Sequence, residues 1–431
     1  MLKRILYSAV LLLAGFGLFA EVKVKDVAVK PRWPWNGKVD ITYSIECDEK
    51  DQEGKPAEVY VSFKGTDNDR NTTFNLRYLT GDGARTSVAD GGPYTVTWDA
   101  SKDRPELNSS SFAVSVAAIA GVAPYLVVDL SGGPNAASYP YRYSAAEPDL
   151  ADDTCRTTEL WLRQIPSGTF TMGSPENEVG RYNGFDMAQH EVTITQMFYI
   201  GVFECTQKQW ELVMGTKPSY FSNAQYYAPR PVECVSYNMI RGTGAQAGAG
   251  WPAYGHAVDG TSFLGKLQAK TGLVFDLPTE AQWEYACRLR ADGTCWTTAL
   301  NSGKDLSNAS SCIEMDEVGR YWYNGGSGYS SSCTPDNGTA KVGSYLPSEM
   351  GLYDMHGNVW EWCLDWWGAN VNSTAAETDP VGPATGSHRL LRGGDWSSEA
   401  GYCRSAYREN GRPSSSNHND GFRVACLLVV Q

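Results

Sequence analysis

At 431 residues the chain is long enough for two or three domains with cores of their own, and an apolar content of 42% excludes wholesale disorder. Its 36 basic residues against 49 acidic ones leave a formal net charge of −13, and no Lys/Arg run offsets it, which excludes nucleic acid as a partner. The 44 glycines, 14 tryptophans and 24 tyrosines predict turn-rich, irregular backbone held by large aromatic side chains in place of long helices.

Residues 1–20, MLKRILYSAVLLLAGFGLFA, combine a basic start at Lys3 and Arg4 with an apolar run from Ile5 to Phe19. This pattern predicts a secretory signal peptide cut after Ala20. The run is short for a membrane anchor, no cysteine follows it to take a lipid, and no later stretch is long enough to cross a bilayer. The expectation is a secreted, periplasmic or cell-surface protein with no membrane contact after cleavage. In such an oxidising compartment the 11 cysteines favour disulfides. None forms a CxxC pair and no Cys/His group has zinc spacing. Cys312 and Cys333 flank a Gly/Ser-rich loop and are the candidates for a local bridge.

Residues 21–120 alternate with period two. VDITYSIE places Val39, Ile41, Tyr43 and Ile45 on one face, VYVSF does so with Val59, Val61 and Phe63, YTVTW with Tyr94, Val96 and Trp98, and FAVSV with Phe112, Val114 and Val116. Runs of this kind between turn signals predict an all-β, immunoglobulin-like antiparallel sandwich, a spacer or adhesion module that carries no chemistry. Residues 121–158 mix Gly, Pro, Ala and Ser and read as a linker. Beyond them short helices have start signals: Thr206 with Gln209 and Thr279 with Gln282 fit capping boxes. A third helix spans 262–271 and closes at Gly272. After residue 290 nearly everything reads as Gly- and aromatic-rich loop.

Seven segments in this half share an order: IPSGTFTMGS (165–174), QHEVTITQMFYIGVFECTQKQW (189–210), RPVECVSYN (230–238), LPTEAQWEYACR (277–288), GLYDMHGNVWEW (351–362), RLLRGGDW (389–396) and GFRVAC (421–426). Over residues 159–428 the chain resembles the sulfatase-modifying factor family, the formylglycine-generating enzyme superfamily. The resemblance implies an α+β, C-type-lectin-like domain with little regular secondary structure, two packed helices and a core of tryptophans and glycine turns, here preceded by the β-sandwich.

In that family the oxidase converts a sulfatase cysteine to formylglycine with molecular oxygen and a copper(I) ion held by two cysteines, five residues apart, after RGG. By resemblance the second is Cys403, while Ser398 stands in place of the first and Asp395 in place of the serine after RGG. A hydroxyl does not replace a soft thiolate on copper(I), so copper is not expected; Cys403 is catalytic only if the oxidase reading holds. Its plainer reading is a half-cystine, with Cys287 or Cys426 as partner, or a small buried residue. The related iron-dependent sulfoxide synthases hold iron on histidines of a further helical domain. Here His190, His256, His356, His388 and His418 lie scattered without ligand spacing.

The loop 397–420, SSEAGYCRSAYRENGRPSSSNHND, has the Tyr/Ser/Asn composition of adaptable binding surfaces. It also resembles the variable segment of retroelement-diversified proteins of this fold. Trp396, Ser398, Glu399, Tyr402, Tyr407, Asn410, Asn417, His418 and Asn419 are the candidate ligand-binding residues, for an extracytoplasmic protein or glycan; the alternative is a solvated loop without a partner. Trp366 and Trp367 read as core before stacking platform, Glu204 and Glu284 as structural hydrogen-bond acceptors, Arg392 and Arg423 as loop anchors, and His356 as a turn residue. In GLYDMHGNVWEW two carboxylates seven positions apart, joined by a Gly-Asn turn, suit a hard cation better than an acid/base pair. By resemblance Asp354 and Glu361 give side-chain oxygens, and Gly357 and Val359 backbone carbonyls, to a structural calcium, with Trp360 and Trp362 packed beneath. The functional expectation is recognition without oxidase activity; the alternative is a sulfatase-activating oxidoreductase.

Overall fold

The computed structural model describes residues 22–33, 36–48, 57, 59–70, 72–76, 79–82, 87–103, 107, 109, 111–120, 123–182, 184–242, 258–326, 329–331, 334–368 and 373–427. The expected signal peptide, 1–20, and Cys333 lie outside the described residues. The chain divides into two compact units, Met1–Val127 with Tyr141–Asp152 and Val128–Pro140 with Asp153–Gln431.

In the first unit, Lys23–Pro31, Lys38–Glu46, Gly91–Asp99 and Leu79–Gly81 form one antiparallel sheet in that order, and Thr72–Asn75, Val59–Asp67 and Phe112–Ala120 form another. The period-two residues face inward together. Val39, Ile41, Tyr43 and Ile45 share one buried cluster with Val59, Val61, Phe63, Val96, Trp98, Phe112, Val114 and Val116, while Tyr94 is half-buried. Trp98 stacks on Phe112 at 5.4 Å. Within the expected linker, the described residues 123–158 are partly regular. They form the strands Tyr125–Asp129 and Tyr141–Ser144 and the helical turn Thr154–Thr157. The Gly/Pro-rich text around YLVVD masked a run whose first four residues are buried.

The second unit is a mixed α/β fold with few, short helices among small curled sheets. Val274–Asp276, Ala425–Leu427, Phe198–Gly201 and Glu159–Ile165 pair in that order. A second sheet runs Arg408–Gly411, Arg389–Arg392, Trp360–Trp366, Asp420–Gly421, and mixes antiparallel with parallel pairing. Both expected capping boxes form: Thr206 and Gln209 exchange bonds at the start of Gln207–Met214, and Thr279 and Gln282 at the start of Glu280–Arg288. The third helix is Phe263–Thr271, capped by Ser262 and closed by Gly272 at φ 75°. The first and third helices meet where Trp210 stacks on Phe263 at 5.3 Å.

Every residue of Glu280–Arg288 is buried, polar ones included, so its charges must be answered inside the protein. Glu284 accepts from the Gly173 amide at 2.9 Å, from Arg288 Nε at 2.8 Å and from Arg392. Glu280 takes both prongs of Arg408, at 2.6 and 2.8 Å. Asp365 accepts the Glu280 amide at 2.8 Å; burial, then the Glu280 charge, push its carboxyl up to about 7. An unfolded aspartate titrates near ~3.9, so the folded protein binds the extra proton and stability falls as pH rises between those two values. Asp365→Asn keeps an acceptor for the amide, and it is expected to flatten the loss of stability between about pH 4 and pH 7 in urea titrations. An unchanged pH slope would show that Asp365 titrates normally.

Candidate functional site

The RGGDW segment leaves the strand Arg389–Arg392 through Gly393 and Gly394, at φ 95° and 79°. A Cβ on Gly394 would stand 2.5 Å from Cys403 Sγ, so only glycine lets the two segments cross. Asp395 then ties the loop's two ends together. Its carboxylate accepts from Ser397 Oγ at 2.6 Å and from Asn419 Nδ2 at 2.7 Å. Trp396 Nε1 donates to the His418 carbonyl at 3.2 Å, and Asn417 Nδ2 donates to Asp420 at 2.8 Å. From outside the loop, the Trp322 amide donates to the Ser398 carbonyl and the Cys234 amide to the Asn417 carbonyl, each at 2.9 Å.

Of the expected ligand-binding residues, this arrangement gathers Trp396, Ser398, Asn417, His418 and Asn419. Glu399 turns aside and accepts from Ser310 Oγ at 2.9 Å. Tyr402 is exposed and meets Tyr407 edge-on, while Asn410 lies half-buried on the strand Arg408–Gly411. Two residues need correction: Trp396 is 0% exposed and Tyr407 is buried, so both support the surface and present nothing to a ligand. Large aromatic rings fill the space that short polar loop residues cannot.

Cys403 is likewise 0% exposed, in an apolar cluster with Cys312, Leu300, Met315 and Tyr321. Burial pushes its thiol well above the usual range. The partners expected for Cys403 are not used: Cys403, Cys287 and Cys426 are buried free thiols, and Cys287 Sγ instead donates to Ser405 Oγ at 3.5 Å. His356 is more than a turn residue. It is fully buried, with Nδ1 2.7 Å from the Cys403 carbonyl, and Nε2 accepts the Asn301 amide at 3.0 Å. Burial holds it neutral, down to about 4.

GLYDMHGNVWEW forms a tight turn, with Asp354, Gly357 and Asn358 at φ 56°, 84° and 66°. Trp360 and Trp362 are buried beneath it. Glu361 accepts from Arg423 Nε at 2.6 Å and Trp283 Nε1 at 2.7 Å. Glu204 accepts from Asn358 Nδ2 at 2.6 Å and the Val359 amide at 3.0 Å. Asp354 Oδ2 accepts the Gly343 amide at 2.7 Å, and Oδ1 is buried without a hydrogen-bond partner. Burial, Asp354 and Glu361 together push the Glu204 carboxyl up, so three buried carboxylates gather round the Arg423 guanidinium. Among the described residues no group of three or more His, Cys, Asp or Glu side chains could hold a metal ion. The fit to calcium is therefore uneven. The orphaned Asp354 oxygen and the excess of carboxylate suit a hard cation, whereas both Glu361 oxygens are already engaged.

Glu204, Glu284, Arg392 and Arg423 act as the acceptors and anchors expected of them. Trp366 and Trp367 are half-buried and face cations instead of each other, Arg389 at 3.4 Å and Arg408 at 4.7 Å. Sequence reasoning missed Tyr220, Phe221 and Tyr329, whose rings meet Trp396 and His418 from distant segments. Their only signal was aromatic residues set in polar text, SYFSN and GYSSS.

The model of the sulfatase-modifying factor enzyme 1-like domain matches residues 148–427. The chain belongs to that family. The formylglycine-generating enzyme of Mus musculus is 28% identical over 323 residues, 68% of this chain and 82% of that protein. The formylglycine-generating enzyme of Streptomyces coelicolor is 39% identical over 158 residues, 35% of this chain and 46% of that protein, so the match takes in under half of that enzyme. Among solved structures, Treponema denticola variable protein 1 is similar at a TM-score of 0.47 and 28% identity, covering 62% of this chain and 95% of that one. The sulfatase-modifying factor match contains Ser398, Cys403 and the whole loop 397–420, and it begins before residue 159, where the motifs alone set its start.

Proposed function

We propose that the sulfatase-modifying factor domain of this chain recognises an extracytoplasmic protein or glycan through the face formed by the loop after RGGDW, and is not an oxidase. The observation that carries the reading is the state of its thiol. Ser398 replaces one copper cysteine of the family by resemblance, and Cys403 is a fully buried thiol whose proton burial retains. Copper(I) binding and cysteine oxidation both need thiolate. Copper(I) titration of the purified protein, with a CxPxR peptide as substrate, is expected to give neither stoichiometric binding nor formylglycine. Turnover of the peptide would sink this reading. The oxidoreductase reading draws on the relatives, which bear the name formylglycine-generating enzyme.

The same proposal takes the domain as C-type-lectin-like and the first unit as immunoglobulin-like, the order of whose two sheets supports that reading. Export through residues 1–20 belongs to it, and the amino terminus of the mature protein tests cleavage after Ala20. A structural calcium would rest on Asp354 and the carbonyls of Gly357 and Val359, with Glu361 joining only if it leaves Arg423. Such an ion would supply positive charge where the turn concentrates carboxylates.

A further inference from the structure

The surface over the loop's two tied ends is built from aromatic rings. Tyr220 is 40% exposed and Tyr329 42% exposed, and both flank the half-buried His418, with centroids at 5.6 and 5.5 Å. Tyr329 lies nearly parallel to the imidazole, at 21°. Under them sit two fully buried rings: Phe221 is 5.2 Å from Trp396, and Trp396 is 4.5 Å from Tyr329. The platform is fixed from behind. The buried Glu233 carboxylate accepts the Tyr220 and Phe221 amides, each at 3.0 Å, and the indole N–H of Trp396 holds the His418 carbonyl. Two tyrosines held with large faces in water by buried supports are more than the core needs, since the buried rings already close it.

Three acidic residues lie in or next to the loop that carries His418, which also holds the exposed Arg412. Asp395 precedes Trp396, Asp420 follows His418 by two residues, and Glu409 acts electrostatically on Asp395 and Asp420. Their hydrogen-bond donors are uncharged: Ser397 and Asn419 for Asp395, Asn417 for Asp420, and the Asn410 amide for Glu409. Among the described residues none of the three forms an ion pair. Ring faces attract cations through their quadrupole; burial raises all three carboxyls, Asp420 up to about 7, so they add to that attraction to the extent that they ionise. An anionic ligand is repelled by the ring faces and by these carboxyls as they ionise.

We propose that the platform of Tyr220, Tyr329 and His418 binds a compact organic cation, an alkylammonium or quaternary ammonium group, over the field of Asp395, Glu409 and Asp420. The proposal rests on the recognition reading of this face and names the chemistry recognised. The probe is choline, compared with its neutral isostere 3,3-dimethylbutan-1-ol and with methyl glucoside, in titrations of the full chain followed by calorimetry and tyrosine NMR. Choline is expected to bind at least tenfold more tightly than either neutral compound. Tyr329→Ala and Tyr220→Ala change exposed side chains and are expected to weaken choline at least fivefold while the thermal melt stays within a few degrees. Asp420→Asn, which keeps an acceptor for Asn417, is expected to weaken choline and leave the isostere unchanged. Equal binding of choline and isostere, tighter binding of methyl glucoside, no choline binding, or full choline affinity in both folded tyrosine variants would each overturn the proposal. None of those results bears on copper or peptide turnover, so the recognition reading stands or falls separately.

Discussion

Glu284→Gln is expected to lower the thermal midpoint of the C-terminal unit by about 10 °C. The carboxylate is fully buried and answers two fully buried guanidiniums, Arg288 and Arg392, as well as the Gly173 amide. The amide variant is nearly isosteric, so no cavity forms, but it carries no charge and turns an N–H₂ group toward one of the arginines. Breaking a buried pair from one side costs about 3–5 kcal/mol, because the charge left behind can neither reach water nor neutralise itself. For a domain of this size each kcal/mol moves the midpoint by about 2–4 °C. Burial alone would push the Glu284 carboxyl up, yet with Arg288 and Arg392 beside it the carboxyl is held below its ordinary value. Calorimetry checks the prediction. A shift of under about 2 °C would mean that water enters the site and screens the arginines, and the network would then contribute little.

Chelation is expected to have the second-largest effect. If a divalent cation rests on the unpartnered oxygen of Asp354, saturating calcium at a hundredfold excess over Kd stabilises the unit by about 2.7 kcal/mol. EDTA then lowers the midpoint by roughly 5–10 °C. Asp354→Gly accepts the backbone φ of 56° without strain and removes the carboxylate. Its midpoint should no longer respond to EDTA or to added calcium. Identical melts of the unaltered protein with and without EDTA would refute the calcium reading. Arg423 would then be the cation that holds the three carboxylates together.

Several features were readable because they depend on near neighbours in the chain. Hydroxyl and amide three residues apart at Thr206 and Thr279 cap helices wherever the rest of the fold lies, and Gly272 ends its helix for the same local reason. The alternation at Val39, Ile41, Tyr43 and Ile45 needs only the pleat of a strand and one water-excluding face. The ordered motifs from IPSGTFTMGS to GFRVAC carried the family, and with it the expectation of irregular backbone and short helices. The strand Tyr125–Asp129 went unread because Gly and Pro nearby outweighed four residues of apolar text.

The candidate site was legible as composition and not as arrangement. Tyr, Ser and Asn in 397–420 are the composition from which a binding surface is expected, but period and spacing do not say which side chains the core will claim. Trp396 and Tyr407 went inward because rings from distant segments pack against them, Phe221 on Trp396 and Trp360 on Tyr407. Tyr220 and Tyr329, far away in the chain, took the exposed places beside His418.

What the sequence by itself determined is the local order of elements, the family, the net acidic charge, and that Ser398 and Cys403 are the residues five apart after RGG. Only the tertiary structure decided that Cys403 is sealed in an apolar cluster, that Glu361 is gripped by Arg423, and that distant tyrosines flank His418 at the surface. Each of these turns on burial and on partners brought together from far apart in the chain, and a carboxylate, a thiol or a ring takes its chemical character from those neighbours and not from its place in the text.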